Sequence, residues 1–163
     1  MTSMIYKNPP WFKLAVNRIM FWPWWDYSHH NPQDHPKVRT MARLLYGEHC
    51  LGERLSQFTS ETSSCQLCDY HCPETVPHML FDCRNDELGY KRQQLWQHVV
   101  NVAPQAMVKD LESMNSDDRL VYIISGFKST YLTEWLDLYQ MLCNFVFQMY
   151  TECQKIKAEF DAI

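Results

Sequence analysis

Glycine is scarce in this chain, four residues among 163, and low-complexity runs are absent. No phosphate-cradling loop motif occurs, and no internal repeat of the kind that builds a solenoid is present. No apolar stretch approaches the roughly 20 residues that cross a bilayer, since "LAVNRIMFWPWW" is broken by Asn17, Arg18 and Pro23. The opening "MTSMIYKNPPWF" lacks the basic, apolar and small-residue sections of a signal peptide, so an intracellular protein, nuclear or cytoplasmic, with no membrane contact is expected. A nucleophile beside a base and paired carboxylates at a catalytic spacing are also lacking, which argues against an enzyme.

Charge of one sign is lacking as well. The net charge is −4, and only residues 1–50 are net basic, with Lys7, Lys13, Arg18, Lys37, Arg39 and Arg43 against Asp26, Asp34 and Glu48. Nucleic-acid affinity depends on Lys and Arg gathered on one face, so a strong binder acting alone is disfavoured and a local patch would be needed.

Apolar and aromatic residues are plentiful, 46% and 14%, enough to bury a core in one mostly helical domain. Phe12, Ala15, Val16 and Ile19 have helical spacing before Pro23, and the Asn, His, Asp and Pro tract after it reads as a loop. His29, His30 and His35 lie there without a cysteine or carboxylate at ligand spacing, which makes them loop histidines. A second helix is predicted from Lys37, with Val38, Met41, Leu44 and Leu45 inward and Gly47 as its stop. A short apolar set at Leu51, Leu55 and Phe58 follows.

Beyond the cysteine-rich region, Tyr90, Leu95, Val99 and Val102 form one buried stripe ending at Pro104. A shorter helix through "DDRLVYIISGF" takes Asp117 or Ser116 as its cap and Gly126 as its stop. The last pattern is the longest. From a cap at Thr133 it carries Trp135, Leu138, Tyr139, Leu142, Phe145, Val146, Met149, Cys153 and Ile156 inward, widened by Phe147 and Tyr150. A stripe that wide is buried on more than one side, within the domain or against a protein partner or second copy. The organisation expected is an aromatic-rich segment (1–35), a helical pair (36–62), a metal knuckle (63–90) and a C-terminal helical region (91–163).

The chemistry is concentrated in "CQLCDYHCPETVPHMLFDC", where Cys65, Cys68, His71, Cys72, His78 and Cys83 could all bind a metal. Seven cysteines, an odd number, suit free thiols and ligands better than disulfides. Zinc takes four nitrogen or sulfur ligands in a tetrahedron. Cys65 and Cys68 form a C-x2-C turn, and His78 with Cys83 supplies the second pair after a loop long enough to fold back. A Cys65, Cys68, Cys72 set completed by His78 or Cys83 is the rival, and buried free cysteines with surface histidines are the alternative without metal.

The preferred set imposes a constraint. Residues five apart lie about 140° around an ideal α-helix, so a helix starting after a Thr75 cap must end or distort near Asp82 if His78 and Cys83 are to share one ion. Met79, Leu80 and Phe81 would dock this segment on the helices. Four protein ligands leave no open position, so Zn2+ here would be structural. The fold class expected is therefore mainly α, a small helical domain built around a Cys-Cys-His-Cys zinc knuckle with a long C-terminal helix.

The succession of Arg43, Leu45 and Gly47, then Cys65, Cys68, Glu74, Thr75, His78, the apolar run Met79 to Phe81, and Cys83 resembles the zinc-binding region that follows the polymerase in reverse transcriptases of non-LTR (LINE-type) retrotransposons. The resemblance covers about residues 36–100. It implies a zinc finger that binds RNA or target DNA in target-primed reverse transcription, with Lys37, Arg39, Arg43, Arg54, Arg84, Lys91 and Arg92 best placed for phosphates. The polymerase and endonuclease motifs of that family are missing, and Asp117 and Asp118 read as a helix cap. A domesticated fragment serving as a protein-interaction module in a larger assembly is the second expectation. The aromatic group Trp11, Phe12, Phe21, Trp22, Trp24, Trp25 and Tyr27 reads as core or interface anchor more readily than as a base-stacking platform.

Overall fold

A computed structural model describes residues 23–49, 51–52, 63–69, 71–125 and 136–163. The described chain is mostly helical, with no strand beyond one isolated antiparallel bridge between Ser64 and Pro73. Helix α1 (Pro23–His30) leads through a 3-10 turn (Pro32–Asp34) into α2 (His35–Leu45). A π-helical turn (His78–Asp82) precedes α3 (Asp86–Val102), α4 (Gln105–Ser113), α5 (Ser116–Ile124) and the long α6 (Leu136–Asp161). Among the described residues no helix is long and apolar enough to cross a membrane.

The 26 residues of α6 make it a rod about 39 Å long at 1.5 Å per residue, and the other elements assemble along it. It packs against α3, α2 and the π-helical turn. Leu138, Tyr139, Leu142, Phe145, Val146, Met149, Cys153 and Ile156 are all buried, so the wide stripe is explained by neighbours on several sides of one helix. Phe145 stacks on Phe81 at 6.0 Å and meets Trp96 edge-on at 5.3 Å, which docks the cysteine-rich segment onto both α6 and α3.

The tract after Pro23 is helix rather than loop. Proline is tolerated at a first helical position, where its missing N–H has no partner to lose. Trp24 and Tyr27, three apart, turn to one side and are buried. Trp24 lies 4.6 Å from the ring of Tyr139 and donates Nε1–H to the Ile123 carbonyl at 3.0 Å, while Tyr27 stacks on Tyr139 at 5.4 Å and donates to Asp34. Trp24 and Tyr27 are thus core, whereas Trp25 is exposed. α2 begins at His35, two residues before Lys37, and ends where Gly47 takes φ 71°, a left-handed value that glycine adopts without strain.

Two other local expectations change. Leu88, Leu95 and Val99 form the buried stripe of α3, with Tyr90 and Val102 facing out. Asn115, not Asp117 or Ser116, caps α5 by accepting the Asp118 N–H at 2.8 Å. The N-terminal pattern at Phe12, Ala15, Val16 and Ile19, the aromatics Trp11, Phe21 and Trp22, then Arg54, Leu55, Phe58, Gly126, Thr133 and Trp135 lie outside the described residues.

Candidate metal centre

The cysteine-rich loop folds back on itself through a pair of backbone bonds. The Cys65 N–H donates to the Cys72 carbonyl at 2.8 Å, and the Glu74 N–H donates to the Ser63 carbonyl at 2.8 Å. The reversal between them includes His71 at φ 50°, a left-handed conformation unusual for a residue with a Cβ. His71 is exposed. Thr75 then starts the helical run, its Oγ1 accepting the His78 N–H at 3.2 Å, with Pro77 in the first turn where its lost donor costs little.

The distortion demanded by the His78 to Cys83 spacing is a widening of the helix. Cys83 donates its N–H to the His78 carbonyl at 2.7 Å, a bond across five residues in place of four. With more than four residues per turn, position 83 comes back under position 78, so both side chains point the same way. The chain then leaves the helix at Cys83, and Asn85 starts α3 by accepting the Leu88 N–H at 3.1 Å.

The outcome is a compact cluster. One ligand atom from each of Cys65, Cys68, His78 and Cys83 lies within 4.8 Å of every other, and these four could hold a metal ion. The Cys65 and Cys83 sulfurs are 3.8 Å apart, and Cys68 Sγ is 3.5 Å from His78 Nε2. Cys65, Cys83 and His78 are buried and Cys68 is half-buried. A hydrogen bond shared with Cys83, together with burial, pushes the Cys65 thiol up to about 12, and the same bond lowers Cys83. Backbone N–H groups of Leu67 and Asn85 face these two sulfurs and favour their thiolates. Hydrogen bonding to Cys65 raises His78 against the opposing effect of burial. A bound cation would favour the thiolates and the neutral imidazole and release the protons these groups carry without it.

Cys72, read from sequence as a spectator, has a defined place. Its sulfur is 3.4 Å from His78 Nδ1. It is also 3.7 Å from Nε2, so the sulfur lies beside the imidazole ring and outside the set of four ligand atoms that gather together.

Two charged residues brace the cluster from outside. Arg92 on α3 donates to the carbonyls of Leu80 (2.7 Å), Cys83 (2.9 Å) and Met79 (3.2 Å), satisfying the end of the π-helical turn. Expected at a phosphate, its guanidinium is turned inward and held there. Glu74, 2% exposed, accepts from Lys157 of α6 at 2.8 and 3.0 Å and from the Gly52 N–H at 2.5 Å. A Cβ on Gly52 would sit 3.0 Å from the Ser63 carbonyl oxygen and 3.2 Å from Glu74 Oε2, so a side chain here would press on the backbone and on the carboxylate. Neither clamp carried a local sequence signal, because each joins residues far apart in the chain.

The other cations expected at phosphates are scattered. Arg39 and Arg43 are exposed, one turn apart on α2, and Lys37 is paired with Asp34 at 3.1 Å. Arg84 is exposed and Lys91 half-buried, while Arg54 lies outside the described residues. His29, His30 and His35 are exposed on α1 and α2 and form no metal cluster among the described residues. No protein family, curated protein or solved structure matches the chain.

Proposed function

We propose that Cys65, Cys68, His78 and Cys83 bind a structural zinc ion and that the domain so held is a non-catalytic nucleic-acid-binding module. One observation carries the first half. A tetrahedron with zinc at its centre, about 2.3 Å from sulfur and about 2.05 Å from nitrogen, has sulfur–sulfur edges of about 3.8 Å and sulfur–nitrogen edges of about 3.5 Å. Two of the cluster's six edges, Cys65–Cys83 and Cys68–His78, measure 3.8 Å and 3.5 Å, and all six are within 4.8 Å. Three thiolates and an imidazole suit zinc among the common divalent ions, and they leave no site for water or substrate.

Support for the second half comes from α2 and from the resemblance to the retrotransposon zinc region. His35, Arg39, Arg43 and Tyr46 follow one exposed stripe of that helix, and the exposed ring of Trp25 lies 6.3 Å from His35. Two guanidinium groups flanked by aromatic rings suit a nucleic-acid backbone with unpaired bases. On this reading the zinc-loaded chain binds RNA or DNA at low salt, and Arg39→Ala with Arg43→Ala weakens binding and flattens its salt dependence by about 0.7 to 0.9 per lost phosphate contact. Absence of binding by the zinc-loaded chain at low salt overturns it.

The net charge of −4 favours a second reading, a zinc-held module that docks a protein partner or a second copy. A stable oligomer in light scattering together with no nucleic-acid binding selects that reading.

A further inference from the structure

Beside the metal cluster lies an open groove of about 910 Å³, within the range of pockets that hold small ligands. His78 and Cys83 form part of its floor, and the first two turns of α3 form one wall. Arg92, itself part of the lining, bonds the Leu80 and Cys83 carbonyls, and Asn85 ties the start of α3 to the Leu67 carbonyl at 3.3 Å.

Gly89 on that wall needs a reason. Glycine inside a helix is unfavourable by about 1 kcal/mol relative to alanine. At Gly52 the fold supplies the reason, a close backbone approach, but a Cβ on Gly89 would meet nothing within 4 Å. Folding does not demand this glycine, and what its missing side chain keeps open is the groove. Next to it Tyr90 is 65% exposed, its hydroxyl accepting from Gln94 Nε2 at 3.0 Å on the same helix. An aromatic ring is thus held at the rim of a space left clear by a glycine.

The charges of the groove nearly cancel. Arg84 and Arg92 stand against Asp82 and Asp86, and Asp82 also accepts from Ser116 Oγ at 2.8 Å. A phosphate gains little in such a place. A neutral, flat, polar-edged group is a better fit, and an exposed tyrosine is the surface on which it would lie.

We infer that this groove receives an unpaired base of single-stranded nucleic acid, stacked on Tyr90 over the opening left by Gly89, with the backbone passing the exposed Arg84. The inference rests on the nucleic-acid reading above and adds to it a preference for single strands over duplex. The test uses the zinc-loaded full chain and fluorescence anisotropy, with a labelled mixed-sequence single-stranded RNA and a blunt RNA duplex of the same length.

The wild type should favour the single strand. Tyr90→Ala and Gly89→Leu should each weaken single-strand binding at least about fivefold, the low end of one base-stacking contribution, with duplex binding and zinc content unchanged. Tyr90→Phe should bind as the wild type does. Both sites face open space, so the variants keep the fold. Single-strand affinity unchanged in both variants, or a duplex preference in the wild type, overturns the groove assignment, and the nucleic-acid reading survives if Arg39→Ala with Arg43→Ala still weakens binding. No binding of either RNA by the wild type overturns both.

Discussion

Around Cys65 and Cys83 the chain is held by thiols, an imidazole and charged side chains that bond backbone carbonyls and amides. Along α6 it is held by apolar burial, with Leu142, Phe145 and Met149 closed off from water on several sides. The first region adds Leu67, Val76, Met79, Leu80 and Phe81 to the core, but its loop is shaped by a few directed bonds and by a cluster of four side chains that could hold a metal ion. The second spreads its stability over many interchangeable contacts. They meet where Met79, Leu80 and Phe81 pack on the stack, so the knuckle is both a separate chemical unit and part of the common core.

Metal removal should break this comparison most sharply. Binding free energies of about 10 to 16 kcal/mol for structural zinc rival the whole stability of a small domain. A chelator should therefore lower the thermal midpoint of the whole chain more than any single truncation along α6, as circular dichroism would report. An unchanged midpoint would mean that the knuckle stands on its apolar contacts alone.

Phe145→Ala probes the other region. It empties a site touching both Phe81 and Trp96 and should cost about 3 to 5 kcal/mol, read by urea denaturation, with zinc still bound. Lys157→Met tests the clamp between the regions. It leaves the buried Glu74 carboxylate without its cation and should cost a similar or smaller amount, about 3 kcal/mol. Restoration of that stability by adding Glu74→Gln would assign the loss to the stranded charge. At the small end, Gly89→Ala should raise stability by about 0.5 to 1 kcal/mol, because only the helical backbone registers the change.

Much of the metal region was legible because ligand chemistry is local. The C-x2-C pair, the Thr75 cap and the five-residue step from His78 to Cys83 together required a distorted helix, and the π-helical turn is that distortion. The long α6 was legible from its apolar period. The misses have a shared cause. Pro23 and the histidine tract suggested a loop because proximal composition did so, whereas α1 exists because Trp24 and Tyr27 reach Tyr139 more than a hundred residues away. α4 went unmarked after Pro104 because its inward residues, Met107 and Leu111, make only a brief pattern. Tyr90 was assigned inward by spacing, yet Leu88 takes that place. Cys72 and Arg92 could be assigned only once the imidazole and the exposed carbonyls had positions in space.

The central claim is the identity of the four ligands and the subordinate place of Cys72. The most direct test is native mass spectrometry of the purified chain with elemental analysis, for wild type, Cys65→Ser, Cys72→Ser and His78→Ala. The account predicts zinc bound in the wild type, lost in Cys65→Ser and His78→Ala, and retained in Cys72→Ser, whose sulfur stands outside the group of four. Zinc lost with Cys72 and kept without His78 would contradict it.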